Sequence, residues 1–113
     1  MKTLNLILKK KWYDLIEQGI KLEEYREWNQ YYIKRIIDDC KKCKDYCGDC
    51  DINLILLRLR RITCIDKVKL RNGYTKKTML FYVKEIVIDK GNPEWGAEPN
   101  KLYFVIRLGK RIL

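Results

Sequence analysis

Histidine and serine are both missing from the 113 residues. Their absence excludes serine triads, Cys-His dyads, His-Glu zinc protease sites and histidine general bases. Any chemistry must use Lys, Glu, Asp, Cys, Thr, Tyr or water. Long apolar runs are missing too, and no stretch approaches the length that a bilayer requires. The segment Leu4-Asn5-Leu6-Ile7-Leu8 is too short for a signal-peptide core, has no small-residue cleavage site and runs at once into Lys9-Lys10-Lys11. The expectation is a cytoplasmic protein with no membrane partner. Five cysteines, an odd number, fit a compartment where thiols stay reduced better than a secreted disulfide framework.

Acidic residues are outnumbered, 15 Asp and Glu against 25 Lys and Arg, for a formal charge of +10. A field of that sign attracts polyanions, nucleic acid first among them, although surplus lysine also serves solubility and an anionic membrane would feel the same pull. Hydrophobic residues make up 47% of the chain and fall in periodic groups. At this length they can close one core but not two, so residues 1–113 read as a single domain. No internal repeat, low-complexity tract or linker interrupts it.

Residues 3–9 read as a strand and 11–18 as a helix with Trp12, Leu15 and Ile16 on its apolar face, stopped by Gly19. A second helical pattern starts near Asn29 and runs through Ile33, Ile36 and Ile37 toward a cysteine-rich stretch at about 40–50. Strand-like groups follow at 54–65, 67–70, 79–88 and 103–108, which suggest a small barrel or strongly curved sheet in an α+β chain. Asn72-Gly73 is a hairpin-turn signal, and Gly91-Asn92-Pro93 with residues 96–100 marks an irregular loop.

Gly19-Ile20-Lys21-Leu22-Glu23-Glu24-Tyr25-Arg26 matches G-x-K-x-x-E-x-R at all four specified positions. In this motif the chain resembles the ASCH family. A strand and a short amphipathic helix lead into the motif glycine, as that family has it. Arg71-Asn72-Gly73-Tyr74, Gly91-Asn92-Pro93-Glu94-Trp95-Gly96 and the closing strand are similar to small phage and bacterial members. The resemblance implies a PUA-like small β-barrel with flanking helices and a cleft beside the motif. It also implies binding of RNA or a nucleoside, and in some branches catalysis, either amide hydrolysis of N4-acetylcytidine or ribonuclease activity. The amidohydrolase branch is similar at Gly19, Lys21 and Arg26 but has Thr where Glu24 stands, so a covalent route through that hydroxyl is closed here.

In the motif, Lys21 lies just past a helix end, where a partly desolvated ammonium suits a general base or a clamp on a developing oxyanion. Glu24 could orient a water or accept from a nucleobase amine, and Arg26 suits phosphate. Glu24 and Arg26 share parity on an extended strand and so share a face. The alternative is a solvated ion-pair cluster on a strand edge. Arg71, Asn72 and Tyr74 are candidates for the mouth of the same cleft, against plain hairpin chemistry for Asn72-Gly73. Trp95, in a loop without an apolar stripe, is a stacking candidate or a cap on the core. Glu94 is the candidate for the acidic residue that the amidohydrolases carry in a late loop. Trp12, Trp28, Tyr31, Tyr32, Tyr82, Tyr103 and Phe104 read as packing.

Cys40, Cys43, Cys47 and Cys50 form C-x2-C-x3-C-x2-C, which invites zinc or an iron-sulfur cluster, although the three-residue middle spacing is tight. With Ile33, Ile36, Leu54 and Leu57 the same cysteines also recur as one helix face, where buried thiols are small hydrophobes. A labile disulfide is the third option, and Cys64 reads as structural. The functional expectation is an RNA- or nucleoside-binding module with a basic cleft around Lys21, Glu24 and Arg26. An N4-acylcytidine amidohydrolase using Lys21 and Glu24 or Glu94 is the alternative, and a protein assembled through metal at the cysteines is the third. Oligomeric state is left open.

Overall fold

The computed structural model describes residues 2–38 and 65–113. The four clustered cysteines, Cys64 and all but the final residue of the strand expected at 54–65 lie outside the described residues. Strand β1 (Lys2–Leu8) leads into helix α1 (Lys10–Glu17), strand β2 (Glu23–Glu27) and helix α2 (Gln30–Ile33), which continues as a π-helical stretch, Lys34–Asp38. Strands β3 (Ile65–Asn72), β4 (Thr78–Lys90) and β5 (Leu102–Arg111) follow, with a 3-10 turn, Pro93–Trp95, between the last two. Among the described residues no helix is long and apolar enough to cross a membrane.

The five strands form one sheet in the order β1-β3-β4-β5-β2, parallel between β1 and β3 and antiparallel elsewhere. It curls into a half-barrel with α1 and α2 beside it. The alternation of Leu4, Leu6 and Leu8 with exposed Thr3, Asn5 and Ile7 gives β1 one inward face. In β3 the register slips opposite Lys2 and Thr3, so Ile65 and Val68, three residues apart, both turn inward.

The long strand β4 changes parity the same way. Met79 and Phe81 are buried at its start and Ile86 and Ile88 at its end, with irregular pairing to β5 around Val83. Gly109 lies against that irregularity, where an added Cβ would come within 3.1 Å of the Tyr82 carbonyl. Bulges of this kind bend the bulged strand, and here they curl the sheet.

β5 is covered on both faces. Phe104 and Ile106 join the main core with Leu4, Leu6, Leu70 and Met79, while Tyr103 and Val105 pack with Ala97, Tyr25 and Val87 on the other side. The hairpin between β3 and β4 turns at Asn72-Gly73 as the sequence suggests, with Gly73 at φ +54°. The buried helix face differs from the sequence expectation. Tyr13 and Ile16 are its buried residues, and Trp12 is left at the rim. The Tyr13 hydroxyl is buried and has no hydrogen-bond partner among the described residues. Removing such a hydroxyl removes a desolvation cost, so Tyr13→Phe is expected to leave stability unchanged or raise it by up to about 1 kcal/mol. Urea denaturation of the two proteins checks this.

Candidate functional site

Gly19, at φ +77°, lets the chain reverse after α1, and the N–H groups of Ile20 and Lys21 both donate to the Leu15 carbonyl. This fold-back drives Lys21 inward. Its side chain is only 1% exposed, with Nζ donating to Glu24 Oε1 at 2.7 Å. The ammonium also sits over the rings of Trp12 and Tyr25, at 4.8 and 5.6 Å. On β2, Glu24 and Arg26 share a face as their parity requires, and Arg26 Nη2 donates to Glu24 Oε2 at 3.1 Å. The same nitrogen donates to the Ile7 carbonyl of β1 at 3.0 Å, so one guanidinium bridges the two edge strands of the curled sheet. Arg26 Nη1 reaches the Tyr32 hydroxyl, and the buried Nε meets no partner among the described residues.

Glu24 is pinned. Oε1 accepts from both Lys21 Nζ and the Tyr25 N–H, and Oε2 accepts from Arg26. A carboxylate has about four acceptor directions, so one remains. Lys21 has three donors and spends one on Glu24, which leaves two for a ligand. Lys21 and Glu24 are the two buried charged side chains among the described residues, and both line one cleft.

That cleft, about 400 Å³, opens at the seam between β1 and β2. Trp12, Tyr25, Trp95 and Tyr103 are among its walls. A second chain of contacts positions Trp95. Arg107 on β5 ion-pairs with Glu85, Asp89 and Glu23, and Glu23 accepts from the Tyr25 hydroxyl at 2.6 Å. That hydroxyl in turn accepts from the Asn92 N–H at the base of the loop. Burial and the Glu23 carboxylate push the Tyr25 phenol well above its ordinary range, so it stays a neutral donor and acceptor. Gly96 closes the loop at φ +99° against Trp12, where a Cβ would come within 2.8 Å of the indole.

The structure thus joins Lys21, Glu24, Arg26 and Trp95 in one cleft. Arg71 lies instead in a neighbouring groove. Asn72 forms the hairpin turn, where its carbonyl accepts from Thr75, and Tyr74 at the tip is 95% exposed. Neither lines the cleft. Glu94 is also exposed and does not line the cleft, and its backbone N–H donates to the Asn92 side chain. Trp12, Tyr25, Tyr32 and Tyr103 are cleft residues that sequence reasoning missed. Trp12 directly precedes the buried Tyr13, a position at the boundary of the helix face, and that was the available signal. Trp28 does pack as expected, 5.0 Å from Phe104, whereas Tyr31 is 61% exposed.

No Ser, Thr or Cys stands among the described residues that line the cleft. Among the described residues no group of His, Cys, Asp and Glu is arranged to hold a metal ion. Compared with known proteins, the chain matches no family model, no curated protein and no solved structure.

Proposed function

We propose that this chain is an ASCH-type module with a PUA-like barrel, and that its seam cleft receives one base of a single-stranded RNA. The observation that carries this reading is the burial of Lys21 and Glu24 with Arg26 in an aromatic-walled cleft. A buried ion pair is seldom the most stable filling for a core, because desolvation offsets its Coulomb attraction. Its presence in a cleft is the usual mark of a site. The indole of Trp12 or Trp95 offers a face to a base, and the two spare N–H groups of Lys21 suit its carbonyl oxygen or ring nitrogen. Glu24 holds Lys21 and Arg26 in place and has little capacity left to manage protons. That, and the absence of Ser, Thr and Cys from the described residues that line the cleft, favours binding over hydrolysis.

The test is fluorescence anisotropy of a labelled single-stranded RNA hexamer with the wild type, Trp12→Ala and Lys21→Met. Lys21→Met leaves Glu24 paired with Arg26, so the fold survives it. Trp12→Ala is expected to weaken binding roughly 5- to 150-fold, the worth of one base–aromatic stack. Equal affinity in all three proteins sinks the reading. Release of cytidine from N4-acetylcytidine that Lys21→Met abolishes would replace it with the hydrolytic one.

A further inference from the structure

Beside the seam cleft lies a groove of about 380 Å³ between α2 and the edge of β1 that faces away from β3. The two adjoin, with Ile7, Arg26 and Tyr32 lining both. Their chemistry differs. The cleft carries Glu24 and Glu27 as well as cations, whereas Arg26, Arg35, Lys69 and Arg71 line the groove with no Asp or Glu among the described residues.

Two of these cations have structural duties. Arg35 Nη2 donates to the Asn5 carbonyl at 2.8 Å, and Arg26 binds Ile7 and Glu24, so together they cover the carbonyls of the open β1 edge. Among the described residues Lys69 and Arg71 have none. Both are exposed, both stand on the outer face of β3 opposite Asn5 and Ile7, and no carboxylate among the described residues pairs with either. Two positions apart on a strand, they stand roughly 7 Å apart, comparable with the step between successive phosphates of an extended polynucleotide. Tyr31 presents an exposed ring at the same groove, edge-on to Tyr32 at 4.9 Å and beneath the Arg35 guanidinium at 5.5 Å.

We infer that the groove is a phosphodiester track for the nucleotides that flank the base in the cleft, with Lys69 and Arg71 as the phosphate contacts. The ligand is then a strand of RNA and not a free nucleoside. Arg26, common to both spaces, sits where base site and backbone track meet. A nucleoside would fill the cleft and leave the paired cations of β3 unused. The inference rests on the reading of the cleft as a base site.

The experiment compares the wild type with Lys69→Gln/Arg71→Gln, whose exposed side chains leave the core untouched. It uses two probes, the labelled RNA hexamer across a salt series and free cytidine and adenosine followed by tryptophan quenching. The expected result is at least about a tenfold loss of hexamer affinity in the double variant, with the salt slope reduced by about 1.4 for two phosphates on a single strand. Nucleoside quenching stays as in the wild type. Hexamer affinity and slope equal in both proteins overturn the track and leave the base site standing. Absence of nucleoside quenching, with hexamer affinity also insensitive to Trp12→Ala, overturns the base site and the track built on it. Phosphatidylserine vesicles bound by the wild type and released by the double variant, with RNA bound by neither, would assign the cations to lipid headgroups and overturn the track as well.

Discussion

Glu24→Ala is expected to cost about 3–5 kcal/mol of folding stability, the range for removing one partner of a buried charge cluster. The carboxylate stands between Lys21 Nζ and Arg26 Nη2, at 2.7 and 3.1 Å, and its own side chain is 6% exposed. Without it Lys21 loses its counter-ion in a buried setting, and the Tyr25 N–H loses its acceptor. For a domain of this size the loss corresponds to a fall in melting temperature of roughly 10–20 °C, which calorimetry reads directly. Adding Lys21→Met should recover much of the deficit, because the second change removes the stranded cation. A double variant no more stable than Glu24→Ala would mean that Glu24 acts through packing and not through charge. Either protein should lose RNA affinity, since both take away the geometry that holds the Lys21 donors in the cleft.

Phe104→Ala is the second large effect, also about 3–5 kcal/mol, by transfer and cavity terms together. Phe104 is fully buried in β5, paired in register with Arg26 on one side and Ile88 on the other, and its ring meets Trp28. The cavity would open directly behind the strand that carries Glu24 and Arg26. Denaturant unfolding should show an earlier midpoint, and Trp28 should report the change in its emission because one wall of its environment is gone. Phe104→Leu keeps most of the volume and should lose less than half as much. Equal losses for Leu and Ala would show that the ring's tilted contact with Trp28, more than its bulk, is what matters.

The motif was the most legible part of the site, because a glycine, lysine, glutamate and arginine at fixed spacings dictate one local geometry. A left-handed turn at Gly19 throws Lys21 inward, and strand parity then puts Glu24 and Arg26 together. The hairpin at Asn72-Gly73 was legible for the same reason, a backbone angle that few residues accept. Strand boundaries were off by a residue or two at most ends, since edges fray in pattern reading as they do in structure. Trp12 was read as core because helical periodicity places it with Leu15 and Ile16, and periodicity cannot tell the centre of a face from its rim. Tyr25 and Tyr103 meet at 5.8 Å only because β2 pairs with β5, a long-range fact that spacing does not carry. The grouping of Arg35 with Lys69 and Arg71 was invisible for a related reason: Arg35 follows α2 while Lys69 and Arg71 lie on β3, and the parallel pairing of β1 with β3 brings the two elements to one groove. Arg71 was read as a candidate for the mouth of the motif cleft, whereas it lines the neighbouring groove.

The pairing of β2 with β5 also sets a schedule. Glu23 and Arg107 are 84 residues apart, and at about 5–20 residues per second a ribosome needs roughly 4–17 s to make the second after the first. Through that interval Lys21, Glu24 and Arg26 are already synthesised but have no ladder to anchor them, and their charges are solvated individually. Closing so long a loop must precede any gain from the contacts it enables, which makes this step slow among those of folding. The cleft therefore does not take shape gradually as the chain emerges. Its β2 wall pairs with β5, so a nascent chain carries the whole motif in plain view before that wall has docked.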